Sequence, residues 1–216
     1  MTKLPPSFFL GRDVTRIARN LVGKILLTSF DNHITSGRIV ETEAYNGVVD
    51  RASHAWNNRR TARTEVMFGN GGTAYVYLCY GIHHLFNIVT GKAGQPHAVL
   101  IRGVEPLEGI SVMRRRLGLG SELVSGKTEV QLRKERAALG RGPGKLTRSL
   151  GIHTGQSGWS LQEHISIWDD GFRVKAADIG CGPRIGVDYA GTDALLPYRF
   201  YLRGYPAVSG PRNGNL

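Results

Sequence analysis

Lys24-Ile25-Leu26-Leu27-Thr28-Ser29-Phe30-Asp31-Asn32-His33-Ile34-Thr35-Ser36-Gly37-Arg38-Ile39-Val40-Glu41-Thr42-Glu43-Ala44-Tyr45 is the stretch on which the fold turns. Residues 24–30 read as a strand, Asp31-Asn32 as a turn, and residues 34–45 as the antiparallel partner. Side chains alternate along a strand, so Ile39, Glu41, Glu43 and Tyr45 share one side. A carboxylate then lies next to an aromatic ring at the C-terminal end of the strand, where a long loop begins. On spacing alone, the same two glutamates also read as solvated groups of an edge strand.

Upstream of this hairpin, residues 13–22 carry Val14, Ile17, Ala18, Leu21 and Val22 on one helical stripe, with Asp13 as N-cap and Gly23 as stop. Downstream, residues 46–72 are polar and glycine-rich and form an extended loop holding Arg59, Arg60 and Arg63. A second hairpin follows, with strands at 73–80 and 84–90 and a tip at 81–83, and then an apolar strand at 97–103. Pro106 starts a helix that runs to Arg114-Arg115-Arg116, Thr128-Glu129-Val130-Gln131 has the capping-box pattern of a helix reaching Leu139, and residues 143–150 form a third helix. Strands return at 164–168, 172–176 and 199–202. The ends, residues 1–6 and 210–216, are expected to fray. No repeat or linker divides the 216 residues, so the expectation is one mixed domain with strand-rich ends and a helical middle.

Composition narrows the function. Hydrophobic residues make up 41% and charged ones 21%, enough to bury a core, and 29 glycines imply short connections between many strands. Lys+Arg 28 against Asp+Glu 17 leaves a formal charge of +11, which favours a polyanionic partner, nucleic acid or an anionic membrane surface. No apolar run approaches the ~18 residues of a membrane span, and the start, Met1-Thr2-Lys3-Leu4-Pro5-Pro6, lacks a secretory h-region. Cys79 and Cys181 are too isolated for a disulfide framework and fit a reducing cytoplasm. Ser125-Gly126-Lys127-Thr128 imitates the end of a phosphate-binding loop, but Ser121 stands where the first glycine belongs. His83 and His84 are adjacent, hence on opposite faces of a strand, and no other ligand set has metal spacing, so neither a structural nor a catalytic metal is expected.

The aromatic and basic residues are more specific. Tyr75, Tyr77 and Tyr80 fall within six residues, the first two on one strand face and the third at the shoulder of a tight turn. Cross-strand packing accounts for such tyrosines in many proteins. On a basic chain they also suit stacking on bases, and a ring on a protruding tip suits wedging between base steps. Arg59, Arg60, Arg63, Arg114, Arg115, Arg116, Lys134, Arg136, Arg141, Lys145 and Arg148 supply the charge for phosphate contacts.

The chain also resembles the alkyladenine (3-methyladenine) DNA glycosylase family. The match begins in Gly37-Arg38-Ile39-Val40-Glu41-Thr42-Glu43-Ala44-Tyr45 and continues through Ala52-Ser53-His54, Met67-Phe68, Tyr75-Val76-Tyr77, Tyr80-Gly81, Asn87-Ile88 and Leu100-Ile101-Arg102. Further blocks are Glu105-Pro106-Leu107-Glu108-Gly109, Gly142-Pro143-Gly144-Lys145-Leu146, Arg184-Ile185-Gly186-Val187 and Arg199-Phe200-Tyr201-Leu202-Arg203-Gly204, in the family's order over residues 5–209. Val48 and Gly103 depart from it, standing where proline and alanine are usual. The resemblance implies a mixed α+β domain: a curved, mainly antiparallel, open-barrel-like sheet, surrounded by helices and carrying a protruding hairpin. It also implies a cofactor-free, monofunctional enzyme that excises alkylated or deaminated purines from duplex DNA, with no lyase activity. Separately, nothing in the sequence suggests more than a monomer, and no membrane partner is expected. Glu43 would be the catalytic carboxylate, with Arg102 and the Ile185 carbonyl holding the attacking water. Tyr45, His54, Tyr77 and Asn87 would form the base pocket, and Tyr80 would fill the gap left in the helix. Arg59, Thr61, Arg63, Met67 and Lys145 would contact DNA. The rival is a non-catalytic nucleic-acid-binding protein on the same scaffold, which would keep the basic surface and tyrosines without needing a carboxylate in the pocket.

Overall fold

In the computed structural model, which describes residues 1–120 and 127–210, the hairpin at 24–45 is the frame of the molecule. In chain order the elements are β1 (Thr2–Lys3), α1 (Val14–Leu21), β2 (Ile25–Phe30), β3 (His33–Tyr45), β4 (Ala74–Cys79), β5 (His83–Thr90), β6 (His97–Glu108), α2 (Ile110–Arg116), α3 (Glu129–Leu139), α4 (Pro143–Leu150), β7 (Ile165–Asp169), β8 (Ile179–Gly182) and β9 (Arg199–Leu202). Short 3-10 stretches lie between them. β2 and β3 join through Asp31 and Asn32 at φ 52° and 60°, the left-handed pair that a two-residue hairpin turn needs and that these two residue types tolerate.

β3 is the axis of the sheet. One of its edges pairs with β6 from Ser36 to Tyr45, while the other is shared by β2 over His33 to Arg38 and by β9 over Glu41 to Glu43. The changeover falls where Gly23, at φ 91°, ends α1 and donates its N–H to the Ile39 carbonyl at 2.8 Å. All pairings are antiparallel in the order β1-β7-β2-β3-β6-β5-β4, with β9 and β8 extending from the far half of β3. Among the described residues the sheet stays open rather than closing into a barrel, and the architecture is the expected α+β one.

Residues directly opposite each other on paired strands share a face, so the register sorts the sheet into two sides. Val76 with Phe86, and Ile88 with Val99 and Ala44, lie on the side covered by helices, in a core that includes Leu21, Met113, Leu146 and Leu150. Full burial of each large apolar side chain there contributes about 1.5–3 kcal/mol. Thr42 is on the same side and donates its hydroxyl to the Ala18 carbonyl of α1 at 2.9 Å. The opposite side carries the row Tyr75, Asn87, Leu100 and Glu43, one residue from each of β4, β5, β6 and β3. A smaller apolar cluster around Met67, Phe68, Tyr75 and Ala98 fixes the 46–72 loop against that side.

Three register shifts interrupt the β3–β6 ladder, and the two that flank Glu41 cancel. Ile39 pairs with Val104 and Glu41 with Gly103, leaving Val40 extra on β3; Thr42 then pairs with Ile101, leaving Arg102 extra on β6. Gly103, between them, sits where a Cβ would come within 2.7 Å of the Ala207 carbonyl oxygen, which accounts for glycine at that position.

Three expectations are corrected. β6 does not end at Gly103 but runs to Glu108, with Pro106 opposite Gly37 beside a register shift, because the long edge of β3 continues to offer partners; the helix begins only after Gly109 at φ 75°. Residues 172–176 form no strand, since β2 and β1 already occupy the two edges of β7. Phe172 instead packs under the Arg38 guanidinium at 4.2 Å, and β8 forms later, against β9. The chain start is paired, Thr2 with Asp169 and Lys3 with Trp168, and Lys3 donates to the Gln162 carbonyl at 2.7 Å. Residues 211–216 of the expected tail, and Ser125-Gly126, lie outside the described residues. Thr128 caps α3 through Gln131, so it serves the helix end.

Asp13 caps α1 as expected, accepting from the N–H groups of Thr15 at 2.9 Å and Arg16 at 3.0 Å. Asp13→Ala is expected to cost about 1 kcal/mol and to lower Tm by about 2–4 °C, read by thermal unfolding at neutral pH.

Candidate active site

Glu43 is fully buried, and its surroundings explain how a carboxylate survives there. Its Oε1 accepts the Ile185 N–H at 2.8 Å, its Oε2 accepts the Tyr45 hydroxyl at 2.9 Å, and Arg102 Nη1 lies 3.4 Å from Oε2. Burial pushes the carboxyl pKa up, against the pull of Arg102, the Ile185 N–H and the Tyr45 hydroxyl. The reading of this strand as a solvated edge is therefore overturned: β3 is interior, and Glu41 is fully buried as well. The bulge at Val40 also separates Ile39 from the glutamates, for Ile39 joins the helix-covered core.

A cavity of about 400 Å³ is lined by Tyr45, Arg102 and Ile185, the residues that contact the Glu43 carboxylate, and by His54, Tyr77 and Asn87, with Glu43 itself buried behind that wall. The sheet register explains the convergence, since Tyr75 and Tyr77 face Asn87 and Leu85 across β4–β5, on the same side as Glu43. Asn87 donates its amide to the carbonyls of Tyr75 at 3.2 Å and Leu85 at 3.4 Å, which pins the side chain. Met67 is buried beneath Tyr75 and also lines the cavity, so it belongs to the cavity wall rather than to the outer surface.

His54 is held as a neutral ring. A guanidinium can only donate, so Arg63 Nη2 at 3.2 Å makes Nε2 the acceptor and leaves the proton on Nδ1, which donates to the Tyr75 hydroxyl at 2.8 Å. Burial, then the nearby Arg63 and Arg59, push the imidazole down to about 4. The ring stands edge-on to Tyr77 with centroids 4.7 Å apart, and the Arg63 guanidinium lies over Tyr77 at 4.7 Å.

Tyr80 is at the hairpin tip, 90% exposed. Its φ of 51° is left-handed, a strained conformation for a bulky side chain, and together with Gly81 at φ 73° it makes the three-residue turn between Cys79 and His83. Arg59, Thr61 and Arg63 border an adjoining groove of about 670 Å³, while Lys145, at the start of α4, borders another of about 980 Å³ that reaches Ile82 and His83. Basic groups thus lie on both flanks of the tip.

The Arg184–Asp50 pair was not anticipated. Arg184 donates to both Asp50 oxygens, at 2.5 and 2.9 Å, and to the carbonyls of Ala44 at 2.9 Å and Asp193 at 3.0 Å, with its guanidinium 4.9 Å from the Tyr45 ring centre. It ties the end of β3, the loop and the 184–193 segment together. Tyr189, 71% exposed, was also missed; it borders both the cavity and the arginine groove. The block Arg184-Ile185-Gly186-Val187 that carries the family resemblance is the sign the sequence offers for Arg184, whereas Asp50 and Tyr189 lie outside every such block. Among the described residues, no three His, Cys, Asp or Glu side chains gather to hold a metal ion, and no helix is long and apolar enough to cross a membrane.

The methylpurine-DNA glycosylase profile matches residues 8–206, nearly the whole of this fold. The chain belongs to that family. Bacterial relatives agree: proteins of Bacillus thuringiensis (strain Al Hakam) and Bacillus cereus (strain G9842), both named "Putative 3-methyladenine DNA glycosylase", are 43% identical over 209 residues, which is 95% of this chain and 98% of theirs. DNA is accordingly the substrate of this glycosylase, and the basic groups flanking the tip suit it.

The His54 geometry carries a pH signature. Its folded pKa of about 4 lies below the unfolded value of about 6.5, so the unfolded chain binds more protons between them and stability falls as pH drops through that window. In denaturant melts, wild type is expected to exceed His54→Asn most above about pH 7, with the gap narrowing towards about pH 4.5.

Proposed function

We propose that this glycosylase extrudes an alkylated or deaminated purine from duplex DNA into the cavity and hydrolyses its N-glycosidic bond with a water activated by Glu43. The observation that carries this reading is the fully buried Glu43 carboxylate bonded to Tyr45, Arg102 and Ile185, three residues in the wall of a cavity that His54, Tyr77 and Asn87 also line. A protein that only binds nucleic acid has no use for a desolvated acid there.

A purine inside the stack hides its glycosidic bond, so the nucleotide must leave the helix, at a cost of a few kcal/mol that is smaller for a damaged or mispaired base. Two groups offset that cost. The aromatic rings of Tyr45 and Tyr77 receive the base, and Tyr80, already exposed on a protruding turn, enters the space it vacates. Phosphates rest on the arginine groove and on Lys145.

As the bond to the base lengthens, the sugar becomes oxocarbenium-like, and a carboxylate beside the anomeric carbon stabilises the developing charge. Burial keeps that field strong, and it also raises the affinity of Glu43 for the proton it takes from water. Arg102 donates hydrogen bonds only, so it orients the water through its oxygen, with the Ile185 carbonyl on the other side. A purine alkylated at N3 or N7 already carries positive charge and leaves without further protonation, whereas a deaminated purine is neutral and takes a proton from solvent as it leaves. Asn87, pinned to β4 and β5, discriminates against the guanine 2-amino group. The reaction leaves an abasic site and an unbroken strand.

Glu43→Gln is expected to slow single-turnover base release by about 10²–10⁴-fold while duplex affinity is retained; the assay is alkali cleavage of a methylpurine-containing oligonucleotide, and full activity in the variant would contradict the assignment. Tyr80→Ala should weaken binding to lesion duplex by about 5–100-fold, the equivalent of one lost base stack, and lower excision with it. Unchanged binding would remove the tip from the extrusion step.

A further inference from the structure

Glu41 is the buried acid that the reaction above leaves unused. It has no exposed surface, and it is held tightly. Arg199 Nε donates to Oε1 at 2.6 Å, the Ser209 N–H donates to Oε2 at 2.6 Å, and Arg199 Nη2 donates to the Ser209 carbonyl at 2.6 Å, closing a ring.

Arg102 is held differently. Among the described residues every contact of its guanidinium is long: Nη1 to Glu43 Oε2 at 3.4 Å, Nη2 to Ser209 Oγ at 3.4 Å, and Nε, which has no hydrogen-bond partner there, 3.4 Å from Glu43 Oε1 and 3.5 Å from Glu41 Oε1. A buried guanidinium facing a single carboxylate closes on it with two short bonds, as Arg184 does on Asp50 at 2.5 and 2.9 Å. Arg102 instead hangs between two carboxylates, one anchored by Arg199 and one buried behind the cavity wall, and the paired bulges at Val40 and Arg102 set that placement. Charge is balanced, with Glu41 and Glu43 against Arg102 and Arg199.

We propose that Glu41, anchored by Arg199, is a positioning residue that holds the Arg102 guanidinium back from Glu43, so that both keep hydrogen-bonding capacity for the attacking water. The proposal rests on the assignment of Glu43 as the activating base. Glu41→Gln keeps an acceptor for Arg199 but removes the charge that draws Arg102 away. Arg102 then closes on Glu43, and the proton affinity of Glu43 falls for two reasons of the same sign: a like charge is lost and a guanidinium comes nearer. The other groups facing Glu43 are unchanged, namely the Tyr45 hydroxyl on β3, the Ile185 N–H, and Arg184 behind the Tyr45 ring.

The test is single-turnover release of methylpurine from a duplex oligonucleotide across about pH 5–9, with full-length Glu41→Gln and Glu41→Gln/Arg199→Gln, the second variant removing both charges of the anchored pair so that no cation is stranded. Both are expected to lose about 10–100-fold in plateau rate, the scale of a misplaced catalytic group, with the acid limb moved to lower pH and affinity for abasic-analogue duplex within about twofold of wild type. Glu43→Gln runs alongside. If it is inactive while the Glu41 variants keep wild-type rate and acid limb, the positioning role is overturned and the base assignment stands. If Glu43→Gln is itself active, the base assignment falls and the proposal with it. Failure of both Glu41 variants to fold makes the pair an element of the fold and overturns the positioning role.

Discussion

Placing a carboxylate with no solvent exposure inside a β-sheet is the constraint to which the rest of this structure answers. An unpaired buried carboxylate would pick up a proton or unfold the region. Glu43 avoids this with donors drawn from distant parts of the chain: Tyr45 on its own strand, Arg102 on β6 and the Ile185 N–H far along the sequence. The longest strands of the sheet, β3 and β6, are the ones that carry the acid and its guanidinium. Their paired bulges let Arg102 reach the carboxylates while the ladder resumes in register on either side. The helix-covered face, with Thr42 tied to Ala18, holds β3 still enough for such contacts to persist.

Around that centre the molecule divides its labour by face. One side of β3 to β6 is core, and the other is the cavity, so a single alternation of side chains separates stability from chemistry. The loop at 46–72 would be loose by composition, yet Arg184 and Asp50 clamp it with charge-assisted bonds that are buried. Strain is placed where contact with DNA is proposed: the left-handed Tyr80 holds its ring out into solvent, and rigid presentation of that kind reduces the entropy lost on insertion.

Much of this was legible in the residues. The 24–45 hairpin, the Asp13 cap, the Thr128 capping box, the second hairpin and the last strand follow from local chemistry, and the structure has all of them. Long-range pairing decided what local chemistry misjudged. Pro106 reads as a helix start, but an unsatisfied β3 edge recruits it into a strand. Residues 172–176 have strand propensity but find no free edge. For the site, the family resemblance marked Glu43, Arg102, Tyr45, His54, Tyr77 and Asn87, and the structure gathers the last five around one cavity, with Glu43 bonded behind Tyr45 and Arg102. Asp50, Tyr189 and the anchoring of Glu41 were hidden, because their partners are far away in the chain and nothing local distinguishes them.

By itself, then, the sequence determined the polyanion-binding charge, the alternation that puts Glu41, Glu43 and Tyr45 on one side of a strand, and the turn chemistry that brings β3 back along β2. These depend on neighbouring residues and on composition. Only the tertiary structure decided that both glutamates are buried, that Arg102 hangs between them, and that His54 is neutral. Those properties depend on desolvation and on distances between groups as much as 168 residues apart, such as Glu41 and the Ser209 N–H, and both come into being only when the sheet closes over them.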